Sequence, residues 1–134
     1  MTTQSTPIIT GTDFITVGTQ DYDRAAKFYG EVLGLPFSKR WGDRPGGEFE
    51  TGNLTIAVMQ SKAFGVEFRP NDHPIDLHVD DFEAAKAELE ARGVTFKGDV
   101  LDSGVCYQAF FEDPDGNTLA IHHRYAPKEA SPTV

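Results

Sequence analysis

Apolar and polar positions alternate in short runs along this chain, and twice the alternation gives way to a spacing of three and four. Over 13–19, Ile15 and Val17 fall on one side and Phe14, Thr16 and Gly18 on the other, which predicts a strand. Over 21–33, Tyr22, Ala25, Ala26, Tyr29, Val32 and Leu33 share one face of a predicted helix, which Gly34 and Pro36 end. Strands are predicted next at about 36–41, 47–51 and 53–60, the last two joined by a turn near Gly52-Asn53. The order then begins again. A strand at 75–79 leads to a helix at 81–92 that buries Phe82, Ala85 and Leu89, opened by an acidic cap at Asp80-Asp81 and stopped by Gly93. Strands near 94–101, 105–112 and 118–124 follow, with Asp113-Pro114-Asp115-Gly116-Asn117 as the tight turn between the last two.

The two halves match at a constant offset of 60 residues: Ile15-Thr16-Val17 runs into Asp21 and the first helix as Ile75-Asp76-Leu77 runs into Asp81 and the second. This predicts an α+β fold of two tandem βαβββ modules whose curved sheets form an open, barrel-like cleft. The expected divisions are a flexible N-terminus at 1–10, a first module at 11–60, a connecting segment at 61–73, a second module at 74–125 and a flexible C-terminus at 126–134. Phe64, Val66 and Phe68 suggest that the connector packs on the sheets. Function should be sought among the residues lining the cleft.

Composition narrows the classes. At 134 residues the chain can build one domain with a full core, and 39% hydrophobic and 11% aromatic content is that of a soluble globular protein. No apolar run approaches the roughly 20 residues that cross a bilayer, and the N-terminus lacks the pattern of a signal peptide. A lone Cys106 offers neither an internal disulfide nor a zinc knuckle, so a cytoplasmic location is expected. The net charge of −9 repels nucleic acid and anionic membranes. It attracts cationic ligands, or it merely keeps the protein in solution.

Three motifs together resemble the vicinal-oxygen-chelate superfamily, which includes glyoxalase I, bleomycin-resistance proteins and extradiol dioxygenases. They are Asp21-x-x-Arg24-Ala25-x-x-Phe28-Tyr29-x-x-x-Leu33-Gly34-Leu35, Leu77-His78-Val79-Asp80-Asp81 and Phe111-Glu112-Asp113-Pro114-Asp115-Gly116-Asn117. The resemblance covers about 12–125 and implies the glyoxalase/bleomycin-resistance fold, commonly as a homodimer. It also implies a divalent metal held by one inward His, Glu or Gln on the first and fourth strands of each half. Carried onto this chain, those positions are Phe14, Ala57, Pro74 and Ala120, none of which has a donor atom for a metal. No cofactor is therefore expected at the usual site.

Two residues further along the same faces stand Thr16, Met59, Asp76 and His122, and further still His78. Parity puts Asp76 and His122 on adjacent parallel strands, where they could hydrogen-bond. They are the candidates for catalysis as an oriented general base, or for gripping a polar ligand group. A structural pair without chemistry remains open, as does a displaced divalent metal held by Asp76, His78 and His122. Phe14 offers a stacking surface, and Trp41, beside Lys39 and Arg40, could cap the cavity mouth; the Gly42–Gly47 segment could be a lid or a plain turn. Phe14, Thr16, Trp41, Met59, Asp76, His78 and His122 are thus the expected ligand-binding residues. Two functions follow as expectations. The first is sequestration of a small, partly aromatic molecule, with a cation favoured, in the manner of the bleomycin-resistance branch. The second is a glyoxalase-like lyase, isomerase or dioxygenase-type enzyme, working metal-free through Asp76 and His122 or with the displaced metal.

Overall fold

The computed structural model describes residues 6–127, so the expected tails at 1–10 and 126–134 lie largely outside the described residues. Strand β1 (Phe14–Thr19) leads into helix α1 (Tyr22–Lys27), then β2 (Phe37–Arg40), β3 (Gly46–Glu50) and β4 (Thr55–Gln60). The second half repeats this with β5 (Ile75–His78), α2 (Phe82–Ala91), β6 (Lys97–Asp102), β7 (Cys106–Glu112) and β8 (Thr118–Arg124). The sheets run β1-β4-β3-β2 and β5-β8-β7-β6, the same order twice. In each, the first strand pairs parallel with the last, because the helix supplies the crossover that a parallel pair requires. Neither sheet closes into a barrel, in agreement with the predicted α+β fold.

Each helix starts on an aspartate: Asp21 accepts from the Arg24 amide and Asp81 from the Ala84 amide. The first helix departs from the single regular element expected over 21–33. After Lys27 it widens into a π-helical turn, Phe28–Val32, closed by Leu33 N–H donating to the Phe28 carbonyl at 3.0 Å. Beneath both helices lies one shared core, in which Val17, Tyr29, Phe49, Ile56, Phe111, Leu119 and Ile121 come from both modules. Leu89 and Phe82 bring α2 into it, while Ala85 is only half-buried. Strand β6 begins later than expected and is exposed along its length, with a register irregularity between Lys97 and Leu101. The connector forms a short 3₁₀ turn, Ser61–Phe64, and only part of it packs: Phe64 and Phe68 are half-buried while Val66 is exposed.

The turn at 113–117 fastens the modules together. Buried Asp113 accepts from the Tyr29 hydroxyl at 2.7 Å, and its carboxylate also takes the Asn117 side-chain amide and the backbone N–H groups of Asp115 and Asn117. Asn117 donates in turn to the Gly18 carbonyl at 2.8 Å, and Asp115 accepts from Gln20 N–H and Arg24. Burial and the adjacent Asp113 carboxylate raise the Tyr29 phenol far above its ordinary range. The tilt of one sheet against the other is therefore fixed by hydrogen bonds as well as by packing.

Candidate functional site

On the second sheet, Tyr107, Ala109, Phe111, Leu119 and Ile121 point toward the helices, so the intervening residues point to the open side. There Asp76 lies beside Ala120, while His78 and Gln108 flank His122. Leu101 stands opposite Gln108. Together with Ser103 and Cys106, four of these residues (Asp76, Leu101, Gln108 and His122) line a hollow of about 360 Å³. Asp76 does not pair with His122 as the sequence suggested. Its Oδ1 accepts a short hydrogen bond from Gln108 Nε2. The register explains the change: the small, fully buried Ala120 beside Asp76 lets two longer side chains meet across β8, while His122 sits further along, between His78 and Gln108. The Ser103 hydroxyl is occupied by the Cys106 amide at 3.1 Å, and Arg124 Nη1 points at Cys106 Sγ from 3.8 Å. The hollow thus offers a carboxylate, the Gln108 amide and an imidazole beside the apolar wall of Leu101.

The first sheet has its own open face. Phe14, Thr16 and Gly18 align with Thr55, Ala57 and Met59, and these with Glu50, Glu48 and Gly46. Phe14 is 55% exposed, whereas Ala57 is completely buried. Trp41 does not cap the hollow on the second sheet, none of whose lining residues comes from the first. Its indole N–H donates to Glu48 Oε2 at 2.7 Å and its edge meets Phe64. Ser38 and Thr55 both donate to Glu50 and hold its carboxyl below the usual range. The 42–47 segment is a fastened turn rather than a lid: Arg44 donates to the Ala63 carbonyl at 3.0 Å and stacks on Phe64, and Pro45 accepts from Gln60 N–H.

His78 is drawn away from the other candidates. Its Nε2 lies 2.9 Å from Asp80 Oδ1 at the exposed end of β5. Among the described residues no three His, Cys, Asp or Glu side chains converge with metal-binding spacing, and Asp76, His78 and His122 do not make such a group. His73 sits in an exposed loop against Asp72, and His123 turns to the helix side, its Nδ1 3.0 Å from the Val79 carbonyl. Of the seven expected ligand-binding residues, the structure brings only Asp76 and His122 into the hollow. It adds Gln108 and Leu101 there, and Glu48 on the other face. Parity could have found Gln108 and Glu48, since each lies between two core-facing neighbours or beside one: Tyr107 and Ala109 for the first, Phe49 for the second.

Comparison with known proteins places these faces in context. The profile of the Glyoxalase/Bleomycin resistance protein/Dioxygenase superfamily matches residues 11–121. Glutathione transferase FosA from Serratia marcescens is 27% identical over 114 residues, covering 81% of this chain and 77% of FosA. Lactoylglutathione lyase from Schizosaccharomyces pombe is 30% identical over 132 residues; the match covers 76% of this chain but only 43% of that enzyme. Among solved structures, a protein assigned to the glyoxalase family from Bacillus anthracis superposes with a TM-score of 0.75 at 23% identity, covering 90% of this chain and 99% of that one. TnmS3, an antibiotic binding protein from a Streptomyces species, superposes with a TM-score of 0.73 at 22% identity over 89% of this chain and 99% of its own.

Proposed function

The chain belongs to the Glyoxalase/Bleomycin resistance protein/Dioxygenase superfamily, and from that premise we propose that it binds and sequesters a small, partly aromatic molecule on its open sheet faces, without a metal at the superfamily's usual position. One observation carries the reading. The four positions implied for metal ligands hold a phenyl, two methyls and a pyrrolidine: Phe14, Ala57, Ala120 and Pro74. These side chains do not fit a divalent cation, which takes nitrogen, oxygen or sulfur donors. Phe14 and Leu101, each at least half exposed, supply apolar surface on the open faces of the two sheets. The antibiotic binding protein among the similar structures agrees with this reading.

The test is a thermal-shift screen against antibiotics and aromatic metabolites, followed by isothermal titration of the hits. A ligand at about 100 times its Kd should stabilise the fold by about 2.7 kcal/mol. Leu101→Glu, which puts a charge on the apolar wall of the hollow, should abolish the shift. A screen without hits, or hits indifferent to cleft substitutions, would remove the reading.

A second reading has its own support, because both curated relatives are enzymes, a glutathione transferase and a lactoylglutathione lyase. An enzyme would use Asp76 as proton acceptor with Gln108 orienting it, and His122 alongside. It predicts turnover that Asp76→Asn removes while the fold is kept. Near-stoichiometric metal in protein purified without chelators, lost in His122→Ala, would instead establish the displaced metal site.

A further inference from the structure

We infer that the hollow on the second sheet selects a ligand carrying a protonated amine, with Asp76 as its counter-charge and Gln108 as the residue that aims the carboxylate. The inference rests on the reading that this hollow binds a small molecule. Gln108 Nε2 occupies one Asp76 oxygen, which leaves the other for an incoming donor. The Gln108 amide gives one N–H to Asp76, which leaves its carbonyl acceptor and its second N–H beside the free carboxylate oxygen. His122 adds a ring nitrogen. No lysine or arginine lines the hollow, and the guanidinium of Arg124 is turned to Cys106 Sγ. The one hydroxyl, Ser103, is committed to its own turn. An anionic group would meet the Asp76 carboxylate with no lysine or arginine to offset it, in a protein of net charge −9. An ammonium group would meet complementary atoms, while Leu101 covers the apolar remainder of the ligand.

The experiment uses three probes with one ring system: tryptamine (cationic), tryptophol (neutral) and indole-3-acetate (anionic), titrated into the full chain by two-dimensional NMR. Tryptamine should bind about five- to tenfold more tightly than tryptophol, as a charge-assisted hydrogen bond to a solvent-accessible carboxylate allows, with indole-3-acetate weakest. Asp76→Asn keeps an acceptor for the Gln108 amide, so the fold should persist while the preference for tryptamine falls to within about twofold. Gln108→Leu should weaken tryptamine and leave tryptophol unchanged, an outcome that a purely structural glutamine would not give. Glu67→Gln removes the same charge at an exposed position outside the hollow and should leave the ranking intact. Equal affinities for tryptamine and tryptophol, or a preference that survives Asp76→Asn, would overturn the inference while leaving the binding reading in place. If no probe of any charge shifts the resonances of Leu101, Cys106 and Gln108, binding at this hollow fails and the inference with it.

Discussion

Tyr29→Phe isolates one hydrogen bond at the junction of the two modules. The ring keeps its contacts with Phe28 and Phe49, at centroid distances of 5.5 and 6.2 Å, so packing is nearly unchanged. What goes is the hydroxyl donor to Asp113 Oδ2, at 2.7 Å, in a place where Asp113 is only 6% exposed. A hydrogen bond to a buried charged acceptor contributes about 1.5–3 kcal/mol. Asp113 retains Asn117 Nδ2 at 2.8 Å and two backbone donors at 2.9 Å, so its carboxylate is weakened rather than orphaned. The expected loss is about 2 kcal/mol, or roughly 6–8 °C in Tm for a chain of this size. Urea denaturation followed by far-ultraviolet circular dichroism measures it, with the slope unchanged and the midpoint lowered. A loss below about 0.5 kcal/mol would refute the claim that this network, beyond the shared core, holds the modules at their angle.

Two further outcomes follow from local geometry. Tyr125 donates to Asp102, which pushes the phenol up to about 12 and holds the Asp102 carboxyl below its usual value of 3.8. The phenol's contribution to stability is therefore complete below pH 10 and fades as pH rises through about 12, whereas that of Asp102 is lost as pH falls below 3.8. Asp102→Asn should bring Tyr125 back toward 10, read from phenolate absorbance; an unmoved titration would refute the assignment. Gly46→Ala places a Cβ 2.3 Å from Trp41 Cε3, so the indole must leave Glu48. The fluorescence of this sole tryptophan should shift to the red, at a cost of about 1–3 kcal/mol; an unchanged spectrum would contradict the packing.

The modular fold was legible because its two periodicities are clean. Ile15 and Val17 do face the helices, and Phe14, Thr16 and Gly18 the open side, as alternation required. Alternation says nothing of register, and register separates Asp76 from His122 and delivers Gln108 instead. Strand β6 was blurred because its residues are exposed and its pairing is irregular, so no buried side enforces a period. The π-helical turn left no trace either: Tyr29 and Val32 fit a regular helix as well as a widened one. The fate of Trp41 depended on Glu48 and Phe64, neighbours that only the folded chain brings to it.

The Asp113–Asn117 turn bonds to Gly18, Thr19, Gln20, Arg24 and Tyr29 across 84 to 99 residues of chain. During synthesis the N-terminal half leaves the ribosome well before the segment that locks it. Until then β1 already has β4, but the Gly18 carbonyl and the Tyr29 hydroxyl lack their partners and the first module's share of the common core stays uncovered.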